Sequence, residues 1–179
     1  LTDALYSFQL ISGATRFPMN TGKMQEAIIV AISYSKGSGG HTSRVRDFTH
    51  SKDVSWKYPI GEAKAHSEFI EQSVFSYLEN NYRVSKSRTF VGNSLGGFGA
   101  YILFTKPTMF NNYVLGSPSV WFKDNDILKI KTTLNLNKHK VFIGVGANET
   151  KDLDSPNHDM VKGANELKLK ISQALFPHT

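Results

Sequence analysis

Apolar and polar positions along the chain alternate between a helical and an extended period. In Asp3 to Phe17, apolar residues fall at Leu5, Phe8, Ile11 and, less regularly, Phe17, which predicts a helix ended by Pro18. Glu26 to Ser33 (EAIIVAIS) is a continuous apolar run, the pattern of a strand covered on both faces. A long polar loop, Tyr34 to Tyr58, follows. Ala63 to Tyr82 carries Phe69, Ile70, Val74, Tyr77 and Leu78 at helical spacing. Arg88 to Gly92 (RTFVG) reads as a short strand, and Leu95 to Phe104 as a helix closed near Pro107. Asn112 to Gly116 is predicted as a strand, Asp124 to Lys131 as a helix, Lys140 to Gly146 (KVFIGVG) as a buried strand, and Asn157 to Leu175 as an amphipathic helix.

Four short apolar strands separated by helices imply an α/β fold, with a parallel sheet and right-handed crossovers. The chain has no internal repeat and no linker, so residues 1–179 read as one domain. A four-stranded sheet with a helix at each end is small for such a fold, and strands are expected before Leu1 and after Thr179.

Composition narrows the chemistry. The chain has 179 residues, 40% hydrophobic and 20% charged, enough for one globular domain with a core. Its longest apolar run, Ala27 to Ile32, is too short to cross a bilayer, and no signal-peptide pattern is visible. The net charge of +6 is dispersed over Lys36, Arg44, Arg46, Lys86, Arg88, Lys138 and Lys140 rather than gathered in a patch, which argues against nucleic acid as a partner. With no cysteine there is no disulfide, thiolate metal site or cysteine nucleophile. Cysteine usage suits cytoplasm and periplasm equally.

One motif carries chemistry. Gly92-Asn93-Ser94-Leu95-Gly96 matches G-x-S-x-G and lies between a predicted strand and a predicted helix, the context of a nucleophile elbow. The residues two before and two after the serine approach closely at such a turn, and glycine removes the Cβ clash. The turn lifts the Ser94 hydroxyl above the sheet edge and puts the Leu95 N–H at a helix start, where it can serve as half of an oxyanion hole. As a phosphate loop the run fails, because no Lys-Ser/Thr pair follows its glycines. Lys36 to Gly40, the other glycine-rich run, has no such pair and no obvious helix after it, and reads as a surface loop.

A serine needs a base to take its proton and an acid to orient the base. The acid belongs just past the second strand after the nucleophile, which selects Glu149, with Asp152 and Asp154 in reserve. The histidine belongs beyond one further strand, and none of His41, His50, His66, His139, His158 and His178 stands there. His158 is near enough in sequence to Glu149 to reach the site, but a helix cap or a solvated position suits it as well. The group Glu149, Asp152, Asp154, His158 and Asp159 has a spacing that matches neither an EF-hand nor H-E-x-x-H, so no metal and no other cofactor is expected.

Ordered matches along the chain resemble the esterases of the esterase D and enterochelin-esterase group, within the α/β-hydrolases. They run from Glu26–Ser33 through Arg44 to Thr49 (RVRDFT), Phe69 to Val84 (FIEQSVFSYLENNYRV), Arg88 to Gly97 (RTFVGNSLGG), Leu103 to Phe110 (LFTKPTMF) and Gly116 to Phe122 (GSPSVWF) to Glu149 with Met160-Val161. The resemblance implies an α/β-hydrolase sheet that cleaves small-molecule carboxylic esters without a cofactor. By position it implies Ser94 as nucleophile, Leu95 N–H as an oxyanion donor, Glu149 at the acid position, and Ser117, Ser119 and Trp121 beside the substrate cleft. Some members of the group work with a Ser–His pair alone. Members also carry an Asp-Gly stretch ahead of the region matching Leu1, and a strand with Gly-Glu-x-His beyond the region matching Thr179. The chain thus corresponds to the central part of the family domain, truncated at both ends, with the catalytic histidine outside it.

The reading is a serine carboxylic ester hydrolase working through an acyl-enzyme, of low activity without its histidine. The +6 charge is compatible with an anionic ester such as a ferric catecholate siderophore, to which Arg44 or Arg46 could contribute. The alternatives are a non-catalytic binding module on the same fold and an acyltransferase, in which an alcohol replaces water.

Overall fold

The computed structural model describes residues 1–132, 138–151 and 158–175. Its sheet is built from β1 (Thr89–Asn93), β2 (Asn112–Gly116) and β3 (Lys140–Gly144). All pairings are parallel, in the order β1-β2-β3, with Tyr113 between Phe90 and Val141, and Leu115 between Gly92 and Ile143. Helices flank the sheet: α1 (Ala4–Asn20), α2 (Gly40–Phe48), α3 (Ala63–Phe69), α4 (Phe75–Asn81), α5 (Phe98–Thr105), the short α6 (Phe122–Asn125) and α7 (Met160–Leu175). The α/β class with a parallel sheet is as expected.

The period-2 strands put Phe90, Tyr113 and Leu115 on one face, where they are buried in the main core, with Val141 and Ile143 packed against it. α5 crosses that face with Phe98, Gly99, Ala100, Ile102, Leu103 and Phe104 all buried, a helix apolar on every side because it lies inside the domain. Phe48, Phe98, Phe90, Phe110 and Tyr113 continue the core as ring pairs 5.5 to 6.2 Å apart. α7 buries Met160, Ala164, Leu167 and Ile171, spaced four, three and four apart as a helical stripe requires.

Several predicted elements differ. Pro18 lies inside α1, which runs on to Asn20: a proline near the helix end forfeits one bond without stopping the last turn. Glu26–Ser33 is not assigned as a strand and is not covered on both faces, Ile28 being exposed. Its bonds run to Leu1 and Ala4: Ile32 N–H donates to the Leu1 carbonyl (3.0 Å) and Ala4 N–H to the Ile32 carbonyl (3.2 Å). The polar loop contains α2, so a helix does follow the Lys36–Gly40 run, and it buries Ser43, Val45 and Phe48 on an otherwise polar segment. The Ala63–Tyr82 helix is real, with a π-helical stretch at Ile70–Val74. The predicted Asp124–Lys131 helix breaks up because Lys123, Asp124 and Asn125 take left-handed backbone angles before a 3₁₀ turn, Asp126–Lys129. Asp and Asn tolerate that region, and Lys123 Nζ is tied to Asp53. β3 has β2 as its one partner in this sheet and leaves Phe142 exposed, so it is not the buried strand predicted.

Leu167 is fully buried at the centre of the α7 stripe. Leu167→Ala is expected to cost about 2–5 kcal/mol, read as a lower urea midpoint with an unchanged slope.

Candidate active site

β1 ends and α5 begins across a turn that leaves no room for a side chain. A Cβ on Gly92 would lie 2.1 Å from the Gly96 carbonyl oxygen, and one on Gly96 would lie 2.7 Å from Thr2 Oγ1. The chain is still extended at Asn93 (φ −125°, ψ 145°), reverses at Ser94 with φ 57°, and enters a 3₁₀ turn over Ser94–Gly97 that leads into α5. A positive φ at a non-glycine residue is strained, and here the close packing on both sides holds it. The elbow read from the sequence is present in the backbone.

Ser94 is half-buried, with its Oγ 3.3 Å from Ser119 Oγ, and its carbonyl accepts Ser119 N–H at 3.0 Å. Leu95 N–H lies in the first turn of the 3₁₀ segment, where amides lack an intrahelical acceptor. The Leu95 side chain packs against both apolar clusters and so fixes the turn.

The segment after β2 links Ser94 to the acid loop. Ser117, at φ 38°, donates its N–H to the Gly144 carbonyl (2.7 Å) and its hydroxyl to Glu149 Oε1 (2.7 Å). Gly146 N–H donates to the same Oε1 at 2.7 Å. The Ser117 hydrogen bond first, then the Gly146 amide, with His158 adding a Coulomb contribution, hold the Glu149 carboxyl below its ordinary pKa of 4.5. The Glu149 carbonyl accepts Met160 N–H (3.0 Å) and Val161 N–H (3.2 Å), which seats the start of α7 on the acid loop.

Trp121 lies at the other end of this segment, its ring 4.4 Å from the exposed His158 ring. Its indole Nε1 is buried without a hydrogen-bond partner. Trp56 packs on Phe122 at 4.9 Å, and Lys57 stands over the Tyr58 ring. Val45, Ile60 and Phe122, with Tyr58, Leu95 and Trp121, form one cluster beside the elbow.

Of the sequence-predicted residues, Ser94, Leu95 and Ser119 come together, and Ser117 joins Glu149 to the same segment. Arg46 stands apart. Its guanidinium grips Asp47 (2.6 and 3.0 Å) in a cleft shared with Tyr34, Glu62, His66 and Phe69, which does not include Ser94. Asp152, Asp154 and His178 lie outside the described residues.

Among the described residues no histidine hydrogen-bonds Ser94 or Glu149. His41 packs on Tyr58, His66 packs against both Phe48 and Phe98, and His139 Nε2 lies 2.7 Å from the Pro107 carbonyl oxygen. His50 pairs with Asp126 at 3.5 Å and lines a narrow cavity of about 30 Å³ behind the elbow, with Ser94, Phe48 and Val120. Burial pushes His50 below its ordinary pKa, against the pull of Asp126. No spacing pattern signals this pair, whose partners are far apart along the chain.

A family model described as "Putative esterase" matches residues 1–179. The ferri-bacillibactin esterase of Bacillus subtilis is 35% identical over 145 residues, which are 72% of this chain and 50% of that protein. A siderophore triacetylfusarinine C esterase of Aspergillus fumigatus is 35% identical over 106 residues, 56% of this chain and 36% of its own. The chain therefore spans half or less of these two relatives. Among solved structures, the BES protein of Bacillus cereus superposes with a TM-score of 0.79 at 28% identity, over 96% of this chain and 69% of that one. The siderophore hydrolase EstA of Aspergillus nidulans gives 0.75 at 21% identity, over 97% and 69%, a likeness of fold.

The hydrogen bonds at Glu149 make a titration testable. Ser117→Ala is expected to raise the Glu149 pKa toward 4.5, followed by carboxyl carbon shifts in NMR. Because the folded-state value is the depressed one, the stability that Glu149 adds is complete above its ordinary pKa. It is lost as pH falls through the lowered value, and less is lost in the variant.

Proposed function

The chain belongs to this esterase family, and from that premise we propose that it is a serine carboxylic ester hydrolase with Ser94 as nucleophile. The reading rests above all on the strained Ser94, held at φ 57° between Gly92 and Gly96. Ser94 Oγ attacks the ester carbonyl while a histidine from outside the described residues takes its proton. The oxyanion that forms is met by the Leu95 N–H, a donor fixed before the reaction begins. The alcohol leaves with the proton from the histidine, and water then hydrolyses the acyl-enzyme. Glu149 would orient the base, and its bonds from Ser117 and Gly146, which favour the ionised carboxylate, support that role.

The ester is proposed to be that of a siderophore, as the names of the relatives suggest for those proteins. Trp121 and His158, with Trp56 and Tyr58, offer aromatic surface beside the elbow, Lys57 adds positive charge, and Ser119 lies against Ser94. Arg46, bound to Asp47, has a weaker claim to the substrate.

One observation favours a second reading, a binding module that keeps the cleft without turnover: among the described residues, no histidine hydrogen-bonds Ser94. Fluorophosphonate labelling of the full-length gene product separates the two. The parent is expected to label and Ser94→Ala to lose labelling; equal labelling of both removes Ser94 as nucleophile. A labelled protein that fails to hydrolyse any ester in a panel of neutral and catecholate esters favours the binding module.

A further inference from the structure

A buried ionic cluster on the far side of the elbow has no part in the chemistry above. The Asp3 carboxylate accepts Arg44 Nε at 3.1 Å and Nη2 at 3.0 Å, a two-pronged pair whose side chains are 7% and 18% exposed. The Tyr34 hydroxyl donates to the same carboxylate. Burial, then the Asp3 carboxylate, pushes the Tyr34 phenol above its ordinary range, so the proton it donates is retained. Asp3 itself has a left-handed backbone (φ 54°, ψ 53°) at the start of α1, a conformation that Asp tolerates better than most residues and that the bonds to its side chain help to hold.

What this cluster holds is the strip of chain against the nucleophile turn. Thr2 N–H donates to the Val91 carbonyl of β1 (3.1 Å), and Ala4 N–H to the Ile32 carbonyl (3.2 Å), so Thr2 and Asp3 run between β1 and that segment. Thr2 is 2% exposed, and its Oγ1 and Asp3 Oδ2 lie 2.7 and 3.9 Å from where a Gly96 Cβ would stand. Gly96 is two residues past Ser94. The strip forms the wall against which the elbow turns.

We propose that Asp3, Arg44 and Tyr34 are positioning residues for Ser94, clamping the Thr2–Asp3 strip against Gly96 so that the Ser94 hydroxyl and the Leu95 N–H keep a fixed spacing. The inference rests on the assignment of Ser94 as nucleophile. It also reassigns Arg44, which is engaged by Asp3 and not available to an anionic substrate. A loosened strip lets the elbow shift by a fraction of an ångström, which slows attack far more than it weakens substrate binding.

The test is the rate of fluorophosphonate labelling, with kcat and KM on a small chromogenic ester, in the full-length protein. Arg44→Ala is expected to label about tenfold more slowly with KM changed less than about twofold, and added guanidinium ion to restore part of the rate. Tyr34→Phe removes one hydrogen bond while keeping the ring, and is expected to slow labelling about threefold with its melting transition retained. Parental labelling rates in both variants would overturn the proposal, as would a slow Arg44→Ala protein that guanidinium does not rescue. If Arg44→Ala does not fold, Tyr34→Phe decides alone. A folded parent that does not label at all removes the nucleophile assignment, an outcome distinct from the failure of the clamp.

Discussion

The contact between the Gly92 Cα and the Gly96 carbonyl sets the geometry of everything around it. With no space for a Cβ at Gly92, β1 must reverse within one residue, and that residue is Ser94. The reversal aims α5 back across the sheet, where its six buried residues fill the core. It also requires a close-fitting wall opposite, which Thr2 and Asp3 supply. The strain at Ser94 and the density of the core beneath it are therefore two results of one steric condition.

The segment from Ser117 to Trp121 does in this protein what strand ends alone could not. It meets Ser94 at Ser119, Glu149 at Ser117 and the His158 imidazole at Trp121. Its own course is fixed by the Ser117 amide on the Gly144 carbonyl and by the Ser119 amide on the Ser94 carbonyl. Ser94 and Glu149 thus take their places from one short strap laid over the ends of all three strands. A displacement of the strap would move both groups together.

Local patterns were legible and distant pairings were not. The elbow, β2 and the α7 stripe were readable because each depends on neighbours within a few residues: glycine spacing, alternation, helical period. α2 escaped notice because three buried residues on a polar segment make a weak stripe. Glu26–Ser33 has the composition of a strand but bonds to Leu1 and Ala4 instead of extending the ladder. The left-handed residues Lys123, Asp124 and Asn125 ended a helix that periodicity alone would have continued. At the site, Ser94 and Glu149 were expected from their order along the chain, and the segment after β2 contacts both. Asp3 with Arg44 and His50 with Asp126 join residues far apart in sequence, and no spacing rule connects them.

Glu149 also closes a loop. Its carbonyl receives the Met160 and Val161 amides while its carboxylate is held by Ser117 and Gly146, so the start of α7 and the segment beyond β2 share one anchor. Glu149 and Met160 are thereby brought together although they stand apart along the chain. The entropy of closing a chain between two such points grows only slowly with the number of residues between them. A change of length there would leave the Glu149 carboxylate where it is, since Ser117 and Gly146, which hold it, both precede the change.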